Sequence, residues 1–332
     1  MKGICETIKN KSFFITGATG YIGSALVMKL LELNKEYNLN IKLFCYVRQV
    51  EKAKRKFGEA NIDFIVGDFK TELDFSQNID YVVHCASPTD SKYFITNPVE
   101  TFMDNLGFTD KLIQAFKDRG ISAFLYLSSL EIYGTSENSR ELFENTEAVY
   151  SALNVRNSYP LAKIACEELL FMHYKEYGLP IKIARLTQTF GRGVAYYDNR
   201  VFAQFARSVA EGKDIVLNSK GETVRSYCSI DDAVSALLFI LVFGENGEAY
   251  NVSSDNSTVS ILELARLFCE ENKDIKVVFD FKDNAQTGYL KTNKISLNNA
   301  KLKGLGWQST DNICSMVKAV CDEFKSAYKR DV

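Results

Sequence analysis

Histidine is almost missing from this 332-residue chain, which holds only His84 and His173. So few imidazoles argue against a zinc centre built on them and against a histidine-based nucleophile triad. His84 lies in the apolar run YVVHCAS and is expected to be structural. Paired cysteines are missing too. The eight cysteines, at 5, 45, 85, 166, 228, 269, 314 and 321, form no CxxC pair. They read as reduced small hydrophobes rather than as disulfides or a metal cage. Cys314 and Cys321 lie two helical turns apart, a spacing expected to put both on a core face. An excess of charge is lacking, with a net charge of −2. That argues against nucleic acid or a membrane surface as partner. The N-terminal stretch MKGICETIKNKSFFITG carries no apolar run long enough for a signal peptide. The longest apolar run, AVSALLFILVF at 233–243, is too short to span a bilayer and reads as a buried helix. A cytoplasmic protein is expected.

What is present alternates. Apolar strand-like runs stand at 12–17 (SFFITG), 41–47 (IKLFCYV), 62–68 (IDFIVGD), 79–86 (IDYVVHCA), 122–129 (SAFLYLSS) and 179–186 (LPIKIARL). Helical stretches separate them, the longest at 97–120 and 159–178. All-apolar strands alternating with helices predict an α/β fold, a Rossmann-type doubly wound parallel sheet. Beyond residue 186 loops lengthen and elements shorten. Residues 1–180 are read as the dinucleotide-binding domain and 181–332 mainly as a smaller, mixed substrate-binding lobe, with later segments returning to the first. Ser260 and Glu263 in SILELARLF predict a capping box.

The first strand runs into TGATGYIG (16–23), which sets Gly17, Gly20 and Gly23 in a turn, with Tyr21 and Ile22 opening a helix. Glycines there permit a tight turn and close backbone approach to a pyrophosphate, and the helix N-terminus supplies N–H donors. The second strand ends at Val47 and is followed by Arg48 rather than by the carboxylate that would bind the ribose of NAD. Arg48, with Lys52, Lys54 and Arg55 behind it, suits the extra phosphate of NADP; NAD stays open. Asp68, at the end of the third strand, could accept from the adenine amino group, and Ala86, at the end of the fourth, is a further cofactor-side candidate.

Tyr159 and Lys163 stand four residues apart and share one face of a helix. An ammonium beside the phenol, and the positive nicotinamide of an oxidised cofactor, would lower the phenol's pKa from about 10 towards working pH. Ser129, ending the fifth strand, could hydrogen-bond the same substrate oxygen. These groups make a site that removes a hydroxyl proton as hydride leaves the carbon.

TGATGYIG, SSLEIYG and YPLAK, in this order and spacing, resemble an extended short-chain dehydrogenase/reductase of the nucleotide-sugar epimerase, dehydratase and decarboxylase branch. The segments 84–105 and 188–202 are especially similar to UDP-glucuronate decarboxylases, and NVSSDNSTVSILELA and LNNAKLKGLGW resemble the branch's C-terminal lobe. The resemblance implies a tightly held NAD(P), a 4-keto sugar intermediate and a homodimer through a four-helix bundle. It makes Tyr159 the base, Lys163 its electrostatic partner and Ser129 the hydroxyl orienter. It sets Ser87, Asn105 and Gln188 on the substrate side, and assigns Arg225, assisted by Arg200, to the sugar nucleotide's diphosphate. Gln188 departs from the asparagine usual in the branch.

Glu131, two residues after Ser129, is the position that separates reaction types in this branch. A carboxylate there reads as the base for the C5 proton, acidified once C4 is a ketone, which points to a 4,6-dehydratase. Leu130 stands where some dehydratases carry an acid. Decarboxylation of a uronate, with Arg192, Arg200 or Lys92 as the cation, and 4-epimerisation are the alternatives. A non-catalytic dinucleotide-binding regulator and a ketone reductase using free cofactor are further ones.

Overall fold

The computed structural model describes residues 1–73, 76–134, 140–151, 153–281 and 294–331. Seven parallel strands make the main sheet: β1 (Ser12–Thr16), β2 (Lys42–Val47), β3 (Asp63–Val66), β4 (Tyr81–His84), β5 (Ala123–Ser129), β7 (Ile181–Leu186) and β11 (Glu248–Val252). Strand β6 (Arg140–Leu142) and strands β8 (Gln188–Phe190), β9 (Ile215–Leu217) and β10 (Val224–Ser229) lie outside it. The order is β11-β7-β5-β4-β1-β2-β3. The order reverses between β1 and β4, and a doubly wound sheet takes its ligand at such a reversal, beyond the carboxyl ends of the strands.

The sheet is sandwiched because its strands are apolar on both faces; all five residues of β1 are buried. Helices α1 (Lys2–Ile8) and α2 (Tyr21–Tyr37) cover one face with α8 (Ile230–Phe243). Helix α3 (Val50–Phe57) follows β2, and the short α4 (Ser91–Thr96) leads into α5 (Pro98–Phe116). On the other face, α5 and α6 (Ser158–Tyr177) pack Phe108, Leu112, Phe116, Cys166 and Leu170 against Phe14, Phe124 and Ile183. The run at 233–243 is thus a buried core helix. No helix among the described residues is long and apolar enough to cross a membrane.

The sheet recruits β7 and β11 from beyond residue 180, and Trp307 closes the same core. The smaller assembly is mixed. Strand β10 pairs antiparallel with β12 (Thr258–Ser260) and parallel with β8. Helices α7 (Val201–Glu211) and α9 (Ile261–Glu270) and the C-terminal helix Ile313–Asp331 surround Phe190, Phe202, Tyr227 and Phe268. Helix α9 opens with the expected capping box: Ser260 and Glu263 each accept from the other's backbone N–H. The two cysteines of the C-terminal helix part company, Cys321 buried and Cys314 exposed. Its core stripe is drawn by Ile313, Val317, Val320 and Phe324, and Cys314 falls about 100° round the helix from Ile313.

Candidate active site

Gly17 leaves β1 with φ of +65°, and a Cβ there would stand 2.7 Å from the backbone nitrogen of Ala86. The turn after β1 therefore touches the chain leaving β4, across the point where the sheet reverses. A Cβ at Gly23 would collide with the carbonyl oxygen of Gly17, so the first turn of α2 lies directly on the loop. Gly20 is the N-cap of α2, and its N–H donates to the Gly17 carbonyl at 2.9 Å. The first-turn N–H groups of α2, from Tyr21 onwards, have no intrahelical acceptor and point out of the helix end. Ile22 tucks into the main core. This cradle, bare of side chains at Gly17, Gly20 and Gly23, fits a dinucleotide pyrophosphate.

Beneath it Thr16, His84 and Thr109 form a buried string: Thr16 Oγ1 to His84 Nδ1 at 2.8 Å and His84 Nε2 to Thr109 Oγ1 at 3.2 Å. The Ala86 N–H donates to Thr16 Oγ1 at 3.2 Å. Burial first, then the Lys163 ammonium, hold His84 far below the imidazole range. It is structural, as expected. Above the cradle, the Tyr21 hydroxyl donates to the Arg192 carbonyl at 3.2 Å, and the Arg200 guanidinium stands 5.5 Å from the Tyr21 ring centre.

Arg48 is exposed at the end of β2. Asp68 has a task of its own. Its Oδ1 accepts from the backbone N–H groups of Lys70 at 2.8 Å and Thr71 at 3.0 Å and from the Thr71 hydroxyl. Those bonds hold its carboxyl below the usual range and fasten the loop after β3.

Tyr159 sits one residue inside α6, buried, with Ser129 and Ser87 near enough to pull its pKa down. Ser87 donates to Asn105 Oδ1 at 2.7 Å, and Asn105 is itself anchored to the Thr101 carbonyl. Ser87 and Asn105 are thus tied together on the side of the phenol. Lys163, one turn on, donates to the Leu127 carbonyl at 2.8 Å and lies 4.6 Å from the Tyr126 ring centre and 5.8 Å from that of Tyr159. Burial pulls its pKa down to about 8.

The expected lowering of the Tyr159 pKa is not what the protein's own groups produce. Burial and then Glu131 push it up, while Ser129, Arg156 and Ser87 pull it down. Lys163 is turned to Leu127, and among the described residues the charge of Arg156 does not outweigh burial and Glu131, which leaves that task to the positive nicotinamide ring.

Glu131 stands in the 3-10 turn Leu130–Tyr133, which Ser129 caps by accepting from the Glu131 N–H at 3.2 Å. Its carboxylate faces a partner that spacing did not reveal. Arg156 meets it with Nη1 at 3.2 Å and Nη2 at 3.4 Å. Arg156 in turn lies 5.5 Å from the ring centre of Phe94, and Phe94 stacks on Tyr159. Phe94 escaped the sequence because nothing in KYFITNP marks it; it arrives only because α4 folds back on the start of α6. Arg156 had a faint signal, a cation three residues before Tyr159 in VRNSYP. Leu130 is buried in an apolar cluster with Ile132, Tyr133 and Leu142, so its side chain lies away from the cleft chemistry.

The remaining candidates lie on the smaller assembly. Arg225 on β10 donates to the Val224 carbonyl at 3.0 Å and feels the charge of Glu131, while burial lowers its pKa. Arg200 pairs with Asp198 at 2.7 Å, and Gln188 is exposed at the start of β8.

A glycine cradle at the reversal of a parallel sheet, beside a buried Tyr–Lys pair and a serine, defines a dinucleotide-dependent oxidoreductase-type site. The family described as "NAD dependent epimerase/dehydratase family" matches residues 13–253, and the chain belongs to it. This is the nucleotide-sugar group of extended short-chain dehydrogenases/reductases that the motifs resemble. One similar curated protein is the trifunctional UDP-glucose 4,6-dehydratase/3,5-epimerase/reductase RHM2 of Arabidopsis thaliana, 28% identical over 92% of this chain and 46% of its own length. UDP-glucuronic acid decarboxylase 6 of the same plant is 26% identical over 91% of this chain and 87% of its own. The chain thus spans about half the length of the first of these relatives. Among solved structures, UDP-glucuronic acid 4-epimerase from Bacillus cereus, in complex with UDP-glucuronic acid and NAD, superposes with a TM-score of 0.79 at 21% identity, over 96% of this chain and 100% of its own. RMD from Pseudomonas aeruginosa, complexed with NADPH, superposes at 0.73 and 23% identity, over 96% and 99%. Similar folds thus hold either dinucleotide.

Proposed function

We propose that this protein modifies a nucleotide sugar through a 4-keto intermediate in a 4,6-dehydratase-type reaction. The observation that carries the reading is Glu131. It stands two residues after Ser129, near enough for its charge to raise the Tyr159 pKa. A phenol and a carboxylate in one cleft can serve two different protons of one sugar.

In this reading the cradle of Gly17, Gly20 and Gly23, with Tyr21, Ile22 and Ala86, holds the dinucleotide. When bound, the dinucleotide would supply the hydride acceptor and donor that the sugar's C4 and C6 require. Tyr159 takes the proton of the C4 hydroxyl, Ser129 and Ser87 orient that oxygen, and Lys163 fixes the phenol's surroundings. Glu131 removes the C5 proton, made acidic by the C4 ketone, and passes it to the C6 hydroxyl, which leaves as water; C5 then regains a proton from solvent as hydride reaches C6, and solvent takes the proton held by Tyr159. Arg225, assisted by Arg200 and Gln188, faces the diphosphate, for which the guanidinium fork is suited.

Decarboxylation has less support. Two of the cations it would call on are already paired with carboxylates, Arg192 with Asp231 at 2.6 Å and Arg200 with Asp198 at 2.7 Å. For the dinucleotide we favour NADP, on Arg48. We also infer a homodimer: Val99 and Met103 on α5 and Leu161 and Met172 on α6 are apolar and exposed on the paired helices, the composition of a four-helix contact. Eight unbridged thiols suit the cytoplasm.

Mass spectrometry of products from UDP-glucose, dTDP-glucose and UDP-glucuronic acid tests the reaction. Loss of water is expected. Loss of carbon dioxide, or a changed sugar of unchanged mass, would replace the dehydratase with a decarboxylase or an epimerase.

A further inference from the structure

The described residues hold one arrangement that the proposed reaction does not use. Arg156 belongs to the short 3-10 turn Val155–Asn157 that runs straight into α6. Its own N–H donates to Asn154 Oδ1 at 3.1 Å, which fixes the backbone. From there its guanidinium does two things at once. Nη1 and Nη2 reach the two carboxylate oxygens of Glu131 at 3.2 and 3.4 Å. It also stands 5.5 Å from the Phe94 ring centre, and Phe94 is stacked on Tyr159, ring centres 4.4 Å apart and planes 3° from parallel. A second tie holds the stack: the Ser158 hydroxyl donates to the Phe94 carbonyl at 3.0 Å.

We propose that Arg156 is a positioning residue that aims the Glu131 carboxylate and clamps Phe94 on the Tyr159 ring. Both acid–base groups are thereby set by one side chain. This rests on the reading of Glu131 and Tyr159 as the proton-transfer groups.

The chemistry favours this over a surface ion pair. The side chains are partly shielded, 21% exposed for Arg156 and 36% for Glu131. A pair that open to water adds little stability. A two-point contact to a carboxylate, however, fixes its direction, and a flat guanidinium can lie on an aromatic ring while doing so. An ammonium supplies charge without the fork or the plane. Glu131 has its main chain held by Ser129, so its tip is the part left for Arg156 to settle.

The experiment uses the full chain with its dinucleotide and whichever of the three nucleotide sugars above the wild type turns over. Two quantities are read: deuterium uptake from solvent at C5, and nicotinamide reduction in a single turnover. Arg156→Gln should cut C5 exchange on the order of a hundredfold and Arg156→Lys about tenfold, the scale of an ångström-size misplacement, with dinucleotide bound as in the wild type. In a Glu131→Gln background, Arg156→Gln should leave the residual exchange unchanged yet still slow nicotinamide reduction about threefold, through Phe94. If Arg156→Gln does not fold, the lysine variant carries the test. Wild-type exchange in either Arg156 variant, while Glu131→Gln abolishes it, overturns the proposal and leaves the dehydratase reading intact. Exchange that survives Glu131→Gln undiminished sinks the reading itself, and this role for Arg156 with it.

Discussion

Phe94 lies face to face with Tyr159, ring centres 4.4 Å apart and planes 3° from parallel. Two elements far apart in sequence are joined there. Phe94 is 2% exposed and Tyr159 8%, so the stack is also a piece of core. Phe94→Ala should cost about 3 kcal/mol of stability, the usual loss for a buried phenylalanine. It should lower turnover by more than that loss explains, because the Tyr159 ring is freed. Urea unfolding and kcat measured well below the unfolding transition check the two parts. Wild-type kcat in a destabilised variant would reduce the stack to packing.

Gly17 has no room for a methyl group. A Cβ would sit 2.7 Å from Ala86 N and 2.8 Å from the Cys85 carbonyl carbon, at a φ of +65° that L side chains avoid. Both obstacles are backbone and neither can swing aside. Gly17→Ala should therefore weaken dinucleotide binding by at least about tenfold and lower the melting temperature. Calorimetric titration with NADP and NAD reads the first, and differential scanning calorimetry the second.

Arg48 ends β2 where a carboxylate would face the ribose hydroxyls of NAD. Arg48→Asp should swing preference from NADP to NAD by about tenfold, the exchange of an attraction for a repulsion at one phosphate. The ratio of dissociation constants for the two dinucleotides reads this directly. An unchanged ratio would remove Arg48 from cofactor choice.

Two buried lysines set an alkaline stability window. Lys163 and Lys182 are each pulled from 10.5 down to about 8, chiefly by burial. Between those values the unfolded chain keeps protons that the folded chain has shed. The share of stability these two lysines carry should then rise with pH across that window, while the buried thiols of Cys45, Cys85, Cys228 and Cys321, pushed up by burial, work against it. Among the described residues Lys182 donates only to the Leu241 carbonyl, at 2.7 Å, and it lies near the start of β7, away from the carboxyl ends of the strands. Lys182→Met should remove about half of the rise, the share of one lysine in two. Urea midpoints at several pH values from 8 to 10 test this; an unchanged slope would return Lys182 to an ordinary pKa.

The parts of the fold legible in the sequence were those carried by local pattern. The all-apolar run of β1, the glycines after it, the run at 233–243 and the Ser260–Glu263 box each declare themselves within a few residues. The Tyr159–Lys163 spacing did so too. Contacts made by tertiary folding could not be read this way. Phe94 reaches Tyr159 across 64 intervening residues, and the Glu131–Arg156 pair joins a strand end to a helix start. Cys314 shows a third limit. A seven-residue repeat puts it near Cys321 on the helix, but the edge of the core stripe runs between them. The same holds for protonation: Tyr159 beside Lys163 suggests an acidified phenol, yet burial outweighs charge until a cationic ring stands beside it.

Strand β11 is hydrogen-bonded to β7, and 61 residues of chain lie between them. The sheet is therefore incomplete on the ribosome until residue 252 has emerged. Until then β7 presents an open edge of unpaired N–H and carbonyl groups, a ready template for another chain. A shortened gene that stops near residue 180 would lose both strands and leave β5 as that edge. Soluble expression should begin only once the chain carries α8 and β11, so that a cradle built within the first 90 residues waits on strands and a helix encoded far behind it.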